Sequence, residues 1–468
     1  MNERISKVRV TRGTNLGRLA AGQAVKTAGT RLSMIGRSDH ARAVLAERST
    51  MRSAEQLVTV LGNMKGVAMK LGQMLSMLDV DLIAEPYREP FREKLSALRD
   101  QAPEVPFPIM RKVIEADIGP LSKAFVDFDT VPIAAASIGQ VYRATIRDGR
   151  QVAVKIQYPD IDKAVKADVQ NLALFGKLMR PLWPTLGDNA IFDEIARNLE
   201  TELDYLREAR TQHSLARQYS GHPFISIPDS ILDLCTPHVL VTEFVDGAPF
   251  EQMRALPSAE RDRLGEVIYR FYIGSMFSNN EFCGDPHPGN ILLAPDGKVS
   301  FIDFGLYNRM DSVNVDFERN LLRSSAEQRA DDLYELCVGR GVIDPASQTS
   351  AQDFIDYVYA VAGWHLVDEE ITITSEIATS ALVLAIDPRS SQFGGISHQQ
   401  LPPEHVFSRR ADFLTLGVLG QLSATNNWHR IAREWLYGEP PTTEIGRAIA
   451  QWQKSTVPQR PRFTTSAE

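Results

Sequence analysis

The sequence predicts an α+β fold of two lobes, preceded by a helical extension. From Phe125 onward, alternating segments at 138–146 and 151–157 flank the turn Arg147–Arg150, and the Asp-Gly pair of that turn is typical of a hairpin. A further apolar, β-branched strand at 238–245 joins this strand-rich lobe to a mainly helical remainder. At 468 residues the chain is long enough for two or three such units.

The helical extension is predicted by apolar side chains that recur three and four residues apart over residues 51–80. Lys70 and Gln73 share one face of this helix. Five prolines between residues 84 and 108 end it. The predicted segments are a basic segment at 1–50, the helical extension at 51–124, the strand-rich lobe with inserted helices at 125–248, the helical lobe at 249–457 and a disordered tail at 458–468.

Charge is distributed unevenly along the chain. Residues 1–50 carry ten basic and three acidic side chains, a net charge of +7, whereas the whole chain carries −8. Such a segment is typical either of contact with an anionic membrane surface or of a solvated tail. Aromatic side chains are nearly absent there, which argues against nucleic acid as a partner. The oligomeric state is left open.

Cysteine usage and hydropathy indicate the compartment. The three cysteines are widely spaced, which predicts a reducing cytosol and no disulfide framework. We find no apolar run of about 18 residues and no secretory signal, so we expect a cytoplasmic protein whose membrane contact is peripheral, at the inner face. The C-terminal string PQRPRFTTSAE agrees with this expectation.

A lysine and three carboxylates are the first candidate functional residues. Lys155 ends the alternating strand VAVK, from which an ammonium can reach phosphates, although an ordinary edge-strand lysine has the same pattern. Glu202, Asp204 and Glu208 are predicted to lie on one helix, where Asp204 and Glu208 share a face and Glu202 is rotated away. Either they form a solvated acidic face of the helix, or their carboxylates point at two different partners.

The strings GDPHPGN and FIDFG carry the strongest chemical signal. Asp285 and Asn290 are separated by four residues, and prolines and a glycine stiffen the loop between them. A predicted hairpin, with strands at 291–293 and 299–302, then leads to Asp303. An Asn and an Asp at the two ends of a hairpin can share a magnesium ion. For His287 the sequence favours a structural role over proton transfer.

The loop before the lysine strand departs from the glycine-rich phosphate loop of kinases. It holds a single glycine, and alanine restricts both positive φ and close approach of the backbone to phosphate. We expect a stiffer loop with a different nucleotide pose, the alternative being the start of an alanine-rich helix. The candidate nucleotide-binding residues of this loop are Ala134, Ala135, Ala136, Ser137, Ile138, Gly139, Gln140 and Val141.

Together, the strings AAASIGQVYRA, VAVKIQYP, ExDY, GDPHPGN and FIDFG closely resemble the UbiB/ADCK/AarF family of atypical, protein-kinase-like ATPases. Met69–Gln73 is similar to the KxGQ signature of that family. The resemblance spans roughly residues 10 to 437. It implies a two-lobed protein-kinase-like fold in which the N-terminal helical extension packs over the active site.

The resemblance also implies roles for individual residues. Lys155 would contact phosphate and pair with Glu208, Asp285 would be the catalytic-loop aspartate, and Asn290 and Asp303 would hold magnesium. ATP or ADP and Mg²⁺ are the implied cofactors.

Further implied roles concern the cover and the hinge of the site. Lys70 and Gln73 would belong to a lid whose lysine meets Glu202 and Asp204. The string HVLVTEFV resembles a kinase hinge strand. In such a strand Thr242 would lie at the entrance to the back pocket, and the backbone of Glu243 and Val245 would face adenine.

Three functions compete at this point. The leading hypothesis is an atypical kinase or ATPase that transfers phosphoryl from ATP to water or an unknown acceptor. Its turnover would be coupled to isoprenoid-lipid or quinone metabolism at the membrane surface, with an anionic or isoprenoid lipid and a lipid-biosynthesis protein as partners. The alternatives are a nucleotide-gated, non-catalytic scaffold or chaperone, and a small-molecule kinase. Gly284 stands before Asp285 in place of an arginine, which disfavours activation-loop phosphorylation.

Overall fold

The computed structural model describes residues 105–136, 138–166, 201–346, 349–386 and 403–456. The chain divides into two compact units. Among the described residues, the first takes in those up to Gly149, those within Val154–Tyr205 and Thr236–Val239, and the second takes in Arg150–Ala153, Leu206–Cys235 and those from Leu240 onward. The predictions for the basic segment, the extension with Lys70 and Gln73, and the tail lie outside the described residues.

Two helices and four strands begin the described chain. They are α1 Phe107–Ile118, α2 Leu121–Ala124, β1 Phe125–Phe128, β2 Ala134–Ala136, β3 Gly139–Ile146 and β4 Gln151–Gln157. Both β1 and β2 pair antiparallel with β3. Buried and half-buried side chains alternate along β3 and most of β4, as expected for strands with one covered face. The predicted hairpin around Gly149 is confirmed.

Aromatic rings form the centre of the first unit. Phe107 of α1 lies 5.5 Å from the rings of both Phe128 and Tyr142. Met110 and Ile114 on the same helix are fully buried. The apolar face of α1 therefore packs with residues of β1 and β3 in this unit.

The remaining chain is mainly helical, as predicted. Its first elements are α3 Tyr205–Gln218, β5 Ile225–Ser226, β6 Val239–Glu243, β7 Ala248–Pro249, α4 Phe250–Arg254, α5 Ser258–Tyr269, a π-helical turn Arg270–Gly274, α6 Ser275–Asn279, β8 Glu281–Cys283, β9 Ile291–Leu293, β10 Val299–Phe301 and β11 Tyr307–Arg309. They are followed by α7 Ser312–Ala326, α8 Ala330–Gly339, α9 Ala351–Ala362, β12 Ile371–Thr372, α10 Ser375–Ile386, α11 Pro403–Leu422, β13 Thr425–Asn426, α12 Trp428–Leu436 and α13 Glu444–Thr456.

The strands of the described residues form four sheets. The largest has the order β1-β3-β4-β6 with β2 added on β3, and a four-stranded sheet has the order β5-β10-β9-β7. Two-stranded ribbons join β8 to β11 and β12 to β13. Phe271 of the π-helical turn stacks on Phe301 at 3.7 Å between ring centroids, which ties the helical core to β10.

One helix prediction is wrong in detail. Residues 201–202 are helical, but the helix breaks at Leu203 and Asp204 before α3 begins. The Tyr205 backbone amide donates to the Pro237 carbonyl, 3.2 Å away, and the Leu203 carbonyl accepts from Nε2 of the Gln157 side chain at 2.8 Å. These long-range bonds replace helical ones, so Glu202, Asp204 and Glu208 do not lie on one continuous helix.

The cysteines are free, as predicted, and all three are buried. Burial raises the pKa of Cys235 to about 11 and the pKa of Cys337 to about 12. Among the described residues, no helix has both the length and the apolar character needed to cross a membrane.

The single glycine of the alanine-rich loop is required by close packing. A Cβ on Gly139 would lie 2.2 Å from the Ile156 carbonyl oxygen of β4. We expect Gly139→Ala to lower the free energy of unfolding by about 2 kcal/mol because the backbone must shift. Denaturant unfolding measures this. Gly339→Ala is the control, since nothing lies within 4 Å of a Cβ there. Equal stability of the two variants would contradict the expectation.

Candidate active site

Two strand pairings bring the polar residues of GDPHPGN and FIDFG together. In the β8–β11 ribbon Cys283 pairs with Tyr307, and the Gly284 amide donates to the Leu306 carbonyl at 2.8 Å. In the β9–β10 hairpin Ile291 pairs with Phe301, and the Ile302 amide donates to the Asn290 carbonyl at 3.2 Å.

These pairings place three polar residues at the ends of paired strands. Asp285 follows β8 after Gly284, Asn290 immediately precedes β9, and Asp303 follows β10 after Ile302. All three belong to the second unit. The predicted delivery of Asn290 and Asp303 from the two ends of one hairpin is confirmed as an arrangement of the backbone.

The loop between Asp285 and Asn290 is internally braced. The Gly289 amide donates to His287 Nδ1 at 3.0 Å, and the Asn290 amide donates to the His287 carbonyl at 2.9 Å. Pro288–Asn290 form a 3₁₀ turn. These contacts agree with the structural role predicted for His287.

The segment after Asp303 is held by α3. The Phe304 amide lies 3.5 Å from Glu208 Oε1, and Phe304 itself is buried. Arg207 donates to the carbonyls of Gly305 and Tyr307, at 3.3 and 3.1 Å. Sequence reasoning did not identify Arg207, although its position beside Glu208 was the available signal.

Asp303 is also tied to the turn that follows it. Its Oδ1 accepts a hydrogen bond from the Gly305 amide at 3.1 Å. A carboxylate that bonds to the backbone two residues ahead has a restricted rotamer. The orientation of this carboxylate is therefore set partly by the local turn.

Lys155 is placed in the first unit, whereas Glu208 is in the second. The Lys155 ammonium lies 5.0 Å from the ring centroid of Tyr205, which is fully buried. An ammonium over a buried aromatic ring is held by a cation–π interaction. The predicted ion pair with Glu208 stays a prediction. Tyr205 was not assigned a role from the sequence, although it is the last letter of ELDY.

The alanine-rich loop is a β-hairpin and not the start of a helix. Ala136 of β2 pairs with Gly139 of β3. Ala134 and Ala135 are exposed, whereas Ile138 and Gln140 are buried, each with an exposed fraction of 1%. Ala136 and Val141 of this loop are half-buried, and Ser137 lies outside the described residues.

The predicted hinge lies at the end of β6. Thr242 is buried, and the Glu243 amide donates to the Asp229 carbonyl at 2.8 Å. Because the Glu243 N–H already has this partner, the carbonyl of Glu243 is the backbone group of that residue that would contact adenine. Val245 follows the strand and is half-buried. Contact of these residues with adenine stays a prediction.

Of the residues predicted to form the lid contacts, the structure describes the two carboxylates and not the lysine and glutamine. Glu202 is buried, with an exposed fraction of 7%, and Asp204 is half-buried. Both lie in the first unit. Lys70 and Gln73, their predicted counterparts, lie outside the described residues.

Asp285 has a charged partner that sequence reasoning missed. Arg410 of α11 donates from Nη2 to Asp285 Oδ1 at 3.0 Å, with both side chains mostly buried. The two residues are 125 positions apart, and no motif surrounds Arg410. No local pattern could have indicated this contact.

A buried charge cluster lies beside this contact on α11. Glu318 of α7 is 1% exposed, and it pairs with Arg409 and lies 2.8 Å from His405 Nδ1. The Ser408 hydroxyl donates to the same carboxylate at 2.9 Å. Burial alone would raise the pKa of Glu318, but the Arg409 charge and these hydrogen bonds hold the pKa below its usual value.

The donor chemistry fits magnesium bound together with a nucleotide. Asn290 and Asp303 offer hard oxygen donors, and Mg²⁺ usually takes one or two protein oxygens plus phosphate and water. Within the described ranges, no three His, Cys, Asp or Glu side chains converge as a metal-binding cluster. With Asn290 and Asp303 as ligands, phosphate and water oxygens would fill the remaining positions around such a metal.

Comparison with known proteins identifies the family. The model of the ABC1 atypical kinase-like domain matches residues 97–336, just over half of the chain. The chain belongs to the ABC1 atypical kinase-like family. This is the UbiB/ADCK/AarF family that the motifs resemble, and the kinase-like α+β fold follows from membership.

Proteins similar to this chain occur in animals and plants. "Atypical kinase COQ8B, mitochondrial" of Rattus norvegicus is 31% identical over 280 residues, which cover 59% of this chain and 52% of the relative. "Protein ACTIVITY OF BC1 COMPLEX KINASE 1, chloroplastic" of Arabidopsis thaliana is 37% identical over 262 residues, covering 54% of this chain and 37% of the relative. The chain spans about half, or less, of the length of the curated relatives it matches.

A solved structure extends the similarity over most of the chain. It is titled as the complex of Rv3197 with erythromycin, from Mycobacterium tuberculosis. Its TM-score is 0.60 at 29% sequence identity, and the match covers 85% of this chain and all of the other. The ABC1 fold is thus shared beyond the residues that the family model matches.

The Glu318 cluster should contribute strongly to stability. Glu318→Gln removes the buried negative charge that faces half-buried Arg409, and we expect the free energy of unfolding to fall by about 3 kcal/mol. Glu327→Gln is the matched control, because Glu327 pairs with Arg329 at the surface, and we expect a loss of at most about 1 kcal/mol. Denaturant unfolding compares the two variants, and similar losses would contradict this account.

Proposed function

We propose that this protein is an ATP- and magnesium-dependent atypical kinase or ATPase. The observation that carries the proposal is the joint placement of Asp285, Asn290 and Asp303 by the β8–β11 and β9–β10 pairings. One catalytic carboxylate and one amide–carboxylate pair are what phosphoryl transfer from a magnesium nucleotide requires. Relatives named as kinases support the reaction class.

Each residue has a distinct role in this proposal. Asp285 orients the attacking hydroxyl or water and accepts its proton. Asn290 and Asp303 would hold magnesium, which, when bound, neutralises charge on the phosphates. Lys155 contacts phosphate, with Glu208 as its proposed partner. Asn290 starts in a fixed position, because its amide bonds to the His287 carbonyl and its carbonyl accepts from the Ile302 amide, and Asp303 directly follows Ile302.

The acceptor in this proposal is water or a small molecule and not a protein. Arginine is absent before Asp285, and the Gly284 that replaces it bonds through its amide to Leu306. The proposed lid of Lys70 and Gln73 would cover the site against a protein substrate. The solved relative is titled as a complex with erythromycin, and this supports access for a non-protein ligand in the present chain.

We further propose coupling to a membrane lipid, with an isoprenoid or quinone pathway as the context. The basic segment at 1–50 supplies the charge for an anionic surface. The names of the relatives place them in mitochondria and chloroplasts, and two of those names refer to the BC1 complex. A lipid-biosynthesis protein is the proposed partner.

Asp303→Asn tests the metal role. We expect ATP hydrolysis to fall at least about 100-fold, because the carboxylate charge that would face the metal is lost. We expect magnesium-dependent ADP binding, followed by calorimetry, to weaken about tenfold. Asp296→Asn is the matched control, since Asp296 lies in the exposed turn of the same hairpin. If the Asp303→Asn variant hydrolysed ATP at the parental rate, the assignment of Asp303 as a magnesium ligand would be rejected.

Membrane coupling is tested by ATP hydrolysis with phosphatidylglycerol vesicles and with phosphatidylcholine vesicles. We expect the anionic vesicles alone to raise the rate, about threefold or more, and high salt to remove the gain. Replacing Arg4, Lys7, Arg9 and Arg12 by Gln should also remove it. Equal stimulation of this variant and the parent would exclude the basic segment as the contact.

A further inference from the structure

We propose that Arg410 is a positioning residue that orients the catalytic carboxylate of Asp285. The inference rests on the proposed function, since it gives Asp285 a chemical task. Arg410 lies outside the residues matched by the family model, which end at 336. The chemistry assigned to the motif loop would thus depend on a helix from the C-terminal part of the chain.

The contact itself has the geometry of a charge-assisted hydrogen bond. Arg410 Nη2 lies 3.0 Å from Asp285 Oδ1, and the two side chains are 10% and 16% exposed. In such surroundings solvent screens the attraction weakly, so the bond is stronger than a surface ion pair. A bond to one oxygen also restricts the rotation of the carboxylate, and so the direction of Oδ2.

The guanidinium is held by a rigid support. Three residues just before it on α11, His405, Ser408 and Arg409, bind buried Glu318, which fixes the rotation of the helix. α11 also packs against β8, the strand that leads to Asp285, and against the π-helical turn. A group presented from an anchored helix can impose an orientation on a loop.

The hydrogen bonding of Arg410 argues against a purely stabilising role. Its Nε is buried and has no hydrogen-bond partner among the described residues. A buried donor without a partner costs stability, which offsets what the bond to Asp285 contributes. We therefore expect removal of Arg410 to change stability little and to change the position of Asp285 substantially.

The test uses Arg410→Met, which keeps the apolar stem and removes the charge. We expect kcat for ATP hydrolysis to fall about 10- to 100-fold, with KM for ATP within about twofold and Tm within about 2 °C of the parent. Arg410→Lys restores a charged donor, so we expect it to recover part of kcat. The control is Arg254→Met, because Arg254 donates to the Gln421 carbonyl at the far end of α11; its kcat should be parental.

Hydrogen exchange of residues 284–290 supplies a readout that does not depend on turnover. We expect this loop to exchange about tenfold faster in Arg410→Met than in the parent, and not in Arg254→Met. A parental kcat in Arg410→Met would overturn the inference, and a raised kcat would do so by identifying the contact as inhibitory. If the parent hydrolyses no ATP, the proposed function fails; faster loop exchange would then support the positioning role and unchanged exchange would overturn it.

Discussion

The arrangement of the candidate site depends on the register of two short antiparallel pairings, β8 with β11 and β9 with β10. Each has three residues in a strand, yet the first connects the residues before Asp285 to those after Asp303, and the second connects the residues after Asn290 to those before Asp303. A slip of one residue would turn the side chains of a strand to the opposite face. Buried Phe301, stacked on Phe271 of the π-helical turn, opposes such a slip, because its ring has a fitted place in the core.

Features set by nearby residues could be predicted from the sequence. The β3–β4 hairpin and the β9–β10 hairpin both follow from strand patterns joined by an Asp-Gly turn, and their bounds agree to within one or two residues. The family also follows from strings of adjacent residues. The helix break before Tyr205 could not be predicted, since it depends on a bond to the Pro237 carbonyl, which is distant in sequence.

Contacts between charged residues that are far apart in the sequence could not be predicted either. Arg410 meets Asp285 because α11 packs against β8, and nothing in the local sequence of α11 separates Arg410 from an exposed arginine. The same holds for Glu318, which lies on a helix with other charged residues and yet is fully buried. Periodicity predicts which face of a helix is apolar, but it does not predict which charged residue will be enclosed with a partner.

Burial of Glu318 suggests why charges are placed inside the helical unit. Replacing a buried ion pair by apolar residues often preserves or raises stability, so stability alone does not explain such a cluster. A charged cluster does specify rotation, because a turn of α11 would leave the buried Glu318 carboxylate without Arg409. The residue next to Arg409 is Arg410, so the same constraint that fixes the helix also fixes the group that contacts Asp285. On the proposed function, the loop that holds Asp285 would be oriented by the folded C-terminal helices, where many kinases use the phosphorylation of a mobile segment.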